Sequence, residues 1–145
     1  PKKSASDEAE AETSQPLSKA LRSEGRRILG RHLMLEVYDC PSEYLDDPNE
    51  IGRLLLDAAS KAGATVIDSM FHRFAPQGVS GVVVIAESHL TIHTWPELGC
   101  AAIDMFSCSP HIALDQIGEH LARELQARRV DARVVERGRV PRLAP

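Results

Sequence analysis

GVSGVVVIAESHLTIHTWPELGCAAIDMFSC, residues 78–108, decides how this chain folds. It divides into three runs of strand composition, GVSGVVVIAE, SHLTIHTWPE and CAAIDMFSC, with Val, Ile and Thr prominent. Pro96-Glu97-Leu98-Gly99, between the second and third runs, is a hairpin turn. The junction between the first and second is of another kind. Glu87-Ser88 carries none of the Gly, Asn, Asp or Pro residues that a surface turn uses, and two histidines, His89 and His93, follow it. An apolar run that stops at an acid and a hydroxyl asks for a chemical explanation.

Working outward, RHLMLEVYDC (31–40) alternates as a strand and CPSEYLDDP breaks it. Asp47 or Asn49 caps a predicted helix through Ile51, Leu54, Leu55, Ala58 and Ala59, and Gly63 ends it. ATVIDSMFHRFAP is a further strand. SPHIALDQIGEHLARELQARR opens on a Ser-Pro start signal and repeats apolar residues at Ile112, Leu114, Ile117, Leu121 and Leu125, so it predicts a second helix. VDARVVERGRV closes the chain as a strand. The predicted order is β-α-β-β-β-β-α-β. It belongs to the α+β class, a two-layer sandwich in which an antiparallel sheet carries both helices on one face. The other face then needs a partner, a ligand or a second copy to cover it.

With 145 residues, 43% of them hydrophobic, the chain suits one compact domain. Residues 26–145 are expected to form it. The small, charged stretch that begins PKKSASDEAEAETSQP makes residues 1–25 an expected disordered tail. A net charge of −4 argues against nucleic acid as a partner. Arg128, Arg129, Arg133, Arg137, Arg139 and Arg142 make the C-terminal part locally positive, which reads as a solvated helix end and edge strand. Nothing approaches the roughly 20 apolar residues of a membrane span, and no signal-peptide core is present. Cys40, Cys100 and Cys108 are odd in number and suggest no disulfide framework, so a cytoplasmic protein is expected.

Pairing residue 96 with 100 across the PELG turn places Ser88 opposite Cys108, within one residue of register and about 5 Å. His93 is five residues further on, roughly 16 Å along a strand. It therefore cannot serve Ser88 of its own chain and would act on that of another copy. His89 and His93 have zinc-like H-x-x-x-H spacing, but on a strand they lie about 13 Å apart, so no metal site is expected. Taken singly, each of these residues has a structural reading. Phe74 suits a core, Glu97 beside a turn is ordinarily solvated, and Ser80 can simply begin a strand.

Taken jointly, the residues resemble a family. GVSGVVVIAESHLTIHTWPELGCAAIDMFSC is similar to the core of the small prokaryotic S-adenosylmethionine decarboxylase proenzymes. The likeness spans about residues 28 to 140 and includes GRHL (30–33), GAT (63–65), FHRF (71–74) and ERGR (136–139). It implies that Glu87-Ser88 is a self-cleavage site. The Ser88 hydroxyl attacks the Glu87 carbonyl, the amide becomes an ester, and β-elimination frees residues 1–87. The remainder at 88 hydrolyses to a covalent pyruvoyl group, the Schiff-base partner of the substrate amine and the sink for electrons released with CO2.

By the same resemblance, Cys108 is the proton donor, Ser80 and His93 assist processing, and His93 is the base for its elimination step. Phe74 stacks on adenine, Glu97 holds the ribose hydroxyls, and Ile85 and Glu87 line the nucleoside site. Ser88 and Cys108 come from one protomer of a homodimer, and Phe74, Ser80, His93 and Glu97 from the other. No pyridoxal phosphate is expected. Independently of the family, the lysines able to anchor one are Lys2, Lys3, Lys19 and Lys61, three in the expected tail and one near a helix end. The implied activity makes the aminopropyl donor for spermidine. Leu98 and Cys100 depart from the family, which commonly has an aromatic there, and a contact of Cys100 with the substrate rim is conceivable. Alternatives are a pyruvoyl-dependent ornithine or arginine decarboxylase, a non-catalytic activating partner, and a ligand-binding module that never cleaves. Retention of Phe74 and Glu97 favours the nucleoside substrate. Retention of Ser88, Cys108 and His93 argues against a non-catalytic role.

Overall fold

The computed structural model describes residues 26–141; the tail expected over residues 1–25 lies outside them. The elements are β1 (Arg26–Arg27), β2 (Gly30–Tyr38), α1 (Pro48–Lys61), β3 (Val66–Arg73), β4 (Val79–Ile85), β5 (Ser88–Trp95), β6 (Cys100–Ser107), α2 (Leu114–Glu124), β7 (Arg129–Arg137) and β8 (Val140–Pro141). Six strands form one antiparallel sheet in the order β3-β4-β5-β6-β2-β7. The fold is α+β, as the residue pattern predicts.

Alternation builds the two layers. On β5, Leu90, Ile92 and Thr94 are buried, while Thr91 and His93 between them stay accessible. Leu33, Leu35 and Val37 of β2 and Ala101, Ile103 and Met105 of β6 join the same core as Ile51, Leu55, Ile117 and Leu121 of the helices. Among the described residues, no helix covers the second sheet face. It displays Met70, Val84 and Trp95, which are 69%, 38% and 36% exposed.

Asp47 caps α1 by accepting from the N–H groups of Asn49 at 2.8 Å and Glu50 at 3.4 Å, with Pro48 in the first turn. Phe71 of β3 lies across Gly81, its cross-strand partner, and reaches Gly52 of α1. A side chain at Gly81 would occupy the space of that ring, so the glycine docks β3 against the helix layer. Thr94 is buried; its hydroxyl donates to Leu45 O at 2.7 Å and accepts from the Val79 N–H at 2.8 Å. These bonds tie the ends of β4 and β5 to the loop before α1.

Three details differ from the pattern-based expectation. Helix α2 starts at Leu114, beyond Ser109-Pro110, because the Arg31 guanidinium takes the Ile112 carbonyl at 2.9 Å and the Pro110 carbonyl at 3.3 Å. The closing strand is interrupted at Gly138, whose φ of 67° turns the chain so that β8 pairs with β1. The hairpin register runs from Trp95 opposite Cys100 to Ser88 opposite Ser107. Pro96–Leu98 form a single 3-10 turn closed by Gly99 at φ 60°, which places the last pair one residue earlier than the turn arithmetic.

Candidate active site

Ala86 and Glu87 make the two-residue turn between β4 and β5, with Ile85 paired to Ser88. Two hydrogen bonds clasp this turn to Thr65. The Ala86 N–H donates to Thr65 O at 2.8 Å, and the Thr65 N–H donates to Glu87 Oε2 at 3.1 Å. The second bond holds the Glu87 carboxyl below the usual carboxylate range, against a smaller opposing effect of burial. The clasp is thus complete at neutral pH and weakens only as pH falls through that lowered range. The Glu87 carbonyl is fixed as well, accepting from the Cys108 N–H at 3.0 Å. Ser88 has φ 151°, in the range that favours glycine, and such backbone strain costs about 1–3 kcal/mol. Its hydroxyl meets His89 Nδ1 at 3.1 Å.

Sequence reading places Cys108 beside the junction, and the structure agrees through the backbone. Cys108 stands one residue past the Ser88–Ser107 pair, exposed at the end of β6. Ile85 is 2% exposed, with its side chain in the core.

A second cluster occupies the far end of the same strand pair. Ser80 lies directly opposite His93, and Ser80 Oγ and His93 Nδ1 share a 2.5 Å hydrogen bond. The His93 ring centroid is 4.3 Å from that of Trp95 and 5.8 Å from that of Phe74, which in turn packs on His72 at 4.7 Å. Glu97 accepts from Gln77 Nε2 at 3.1 Å, which keeps its carboxylate beside the Phe74–Gly78 turn. Phe74, Ser80, His93 and Glu97 thus gather at one end of the sheet, and Ile85, Glu87, Ser88 and Cys108 at the other. Within one chain the two groups stay roughly 16 Å apart.

Cys40 and Cys100 are free thiols pushed up chiefly by burial. The Cys100 thiol is raised further by Glu97 and Glu36, which makes it a poor nucleophile at neutral pH. His89 and His93 have separate partners, Ser88 and Ser80. Among the described residues, no helix is long and apolar enough to cross a membrane.

Reading from sequence attached no chemistry to His89, considered there only as a zinc ligand, nor to Thr65, Gln77 or Trp95. Adjacency to Ser88 was the available signal for His89. Thr65, Gln77 and Trp95 are near the site only because the sheet pairs distant residues.

A strained serine, a preceding carbonyl held by an N–H, and a hydroxyl against an imidazole are the arrangement that an acyl transfer within the backbone requires. The S-adenosylmethionine decarboxylase family profile matches residues 31–138. A Thermotoga petrophila S-adenosylmethionine decarboxylase proenzyme is 54% identical over 113 residues, covering 78% of this chain and 87% of that relative. One from Clostridium tetani is 48% identical over 110 residues, covering 76% and 87%. The crystal structure of the adenosylmethionine decarboxylase from Aquifex aeolicus superposes with a TM-score of 0.75 at 34% identity, covering 82% of this chain and 98% of that one. The chain belongs to the S-adenosylmethionine decarboxylase family.

Proposed function

We propose that this chain cuts itself between Glu87 and Ser88 and then decarboxylates S-adenosylmethionine, using a pyruvoyl group made from Ser88, to yield the aminopropyl donor for spermidine synthesis. The observation that carries the reading is the junction. Serine supplies a β-oxygen able to attack first and leave later, the strain at Ser88 is released when its amide breaks, and the Cys108 N–H stands where charge develops on the Glu87 oxygen. Residues 26–145 then act as one domain in two pieces. The setting is cytoplasmic, in keeping with three unpaired thiols.

A pyruvoyl group supplies the electron sink that decarboxylation α to an amine requires. The chain's own residues do the rest. The Cys108 thiol, beside residue 88, delivers a proton to the α-carbon after CO2 leaves. Phe74, 41% exposed, offers its ring face to adenine, and Glu97 accepts from the ribose hydroxyls once Gln77 yields. Both groups lie at the wrong end of their own sheet for this task. A two-fold homodimer, pairing the helix-free faces with opposite ends of the two sheets together, brings Phe74, Ser80, His93 and Glu97 of one copy to Ser88 and Cys108 of the other. The exposed Met70, Val84 and Trp95 are apolar surface for that contact.

The function is tested by measuring CO2 release from S-adenosylmethionine, ornithine and arginine side by side. Release from S-adenosylmethionine alone is expected; turnover only of ornithine or arginine would overturn the substrate assignment. The Cys108→Ala variant should cut at the normal rate, because alanine keeps the N–H bonded to Glu87 O. Its turnover should fall by about 10²–10⁴-fold for want of the proton donor. Normal CO2 release by the cut variant would remove Cys108 from that role.

A further inference from the structure

Resemblance to the family supplies a base for the elimination step, His93, but assigns none to the attack that precedes it. Within the folded chain the Ser88 hydroxyl is paired with His89 Nδ1, at 3.1 Å. His93 is bonded instead to Ser80 and lies five residues along β5, about 16 Å away.

His89 is held for the task by the sheet. It sits opposite Phe106 of β6, with ring centroids 6.1 Å apart and planes tilted by 49°. Phe106 is propped on its other side by the edge of His32 at 6.2 Å. The imidazole therefore has a packed neighbour on the helix-free face while its Nδ1 reaches back to the preceding residue. In the neutral tautomer with hydrogen on Nε2, Nδ1 is free to accept from the hydroxyl. Nucleophile, base and a fixed carbonyl all stand within one turn and its cross-strand neighbour.

We propose that His89 is the general base for the first step of self-processing and acts within its own chain, an inference that rests on the self-cleavage reading above. His89 Nδ1 takes the Ser88 hydroxyl proton as Oγ bonds to the Glu87 carbonyl carbon. Charge on the former carbonyl oxygen is met by the Cys108 N–H. The bond from that carbon to the Ser88 nitrogen then breaks, and the proton held on Nδ1 passes to the nitrogen, which leaves as an amine. Glu87 is now joined to Ser88 by an ester, with no proton gained or lost overall. The two histidines divide the work, His89 serving the acyl shift in its own chain and His93 the later elimination in a second copy.

This division is read out by where each variant stalls. Freshly folded wild type, His89→Ala, His89→Asn and His93→Ala are followed by loss of the full-length chain, and uncut chains are treated with hydroxylamine, which splits esters and spares amides. His89→Ala should cut at least about 10²-fold more slowly than wild type, and its uncut chains should resist hydroxylamine. His93→Ala chains should stall as the ester and split at residues 87/88. Asparagine accepts a hydrogen bond near the position of Nδ1 but takes no proton, so His89→Asn should be as slow as the alanine variant. Matching circular dichroism and dimer mass establish that the His89 variants fold. Wild-type cutting rates in either His89 variant, or hydroxylamine splitting of stalled His89→Ala, would overturn the role of His89. Failure of the wild type itself to cut at Glu87-Ser88 would instead overturn the self-cleavage reading.

Discussion

Replacing Ser88 with alanine should leave every chain whole and abolish decarboxylation. The variant keeps the fold, since alanine at φ 151° carries the same Cβ as serine and loses only the hydroxyl bonded to His89. It also keeps the Thr65 clasp and the Cys108 N–H on the Glu87 carbonyl, which depend on backbone and on Glu87. What disappears is the oxygen that attacks and later leaves. Without it there is neither an ester nor a residue from which a ketone can form. CO2 release should fall to the uncatalysed level, a loss of more than about six orders of magnitude. Mass spectrometry of the variant and the wild type checks both halves. Wild type should give residues 1–87 and a ketone-bearing fragment from position 88, and the variant only the intact chain. A cut and active Ser88→Ala protein would refute the assignment of the junction.

A second large effect is expected when defective chains are mixed. His93→Ala alone should not complete cutting, and Ser88→Ala cannot begin it. If each site takes Ser88 from one copy and His93 from the other, a hybrid dimer contains one site with both defects and one with neither. Co-expressed in equal amounts, the two variants should assemble half their dimers as hybrids. One chain in each hybrid should be cut, so about a quarter of all chains appear as fragments. Those fragments should come only from the His93→Ala polypeptide, which an affinity tag on one variant identifies. Were His93 to act in its own chain, the mixture would stay uncut. The reach of a strand makes the shared arrangement the expected one: five residues separate Ser88 from His93 on β5, and the bond to Ser80 keeps His93 at the far end.

The sheet was legible because its strands alternate so regularly. VVVIAESHLTIHTW can bury one side of each strand only if the chain reverses near Glu87-Ser88, and PELG supplies the next reversal. The first helix was legible through the apolar spacing from Ile51 to Ala59, with a cap at Asp47 or Asn49 and a stop at Gly63; the structure puts the cap at Asp47. The start of α2 was not legible. Arg31, more than seventy residues earlier, claims the carbonyls that would have opened the helix at Pro110. A local start signal gave way to a long-range bond.

The candidate site divides along the same line. Ser88, Cys108 and His93 stood out from residue type and strand arithmetic, whereas Phe74, Ser80 and Glu97 were named only through the resemblance to the family. The separation of His93 from Ser88 followed from the 3.3 Å rise of a strand, and the resemblance set Phe74, Ser80 and Glu97 beside His93. The chain itself determined an antiparallel sheet with one covered face, and a serine placed where no ordinary turn residue stands, because alternation and turn chemistry are local properties. Only the tertiary structure decided that Ser88 is strained, that the Glu87 carbonyl meets the Cys108 N–H, and that His89 is the histidine at the hydroxyl. Each of these depends on the register between strands and on the angle at which one residue leaves a turn, and pairing across a sheet sets both.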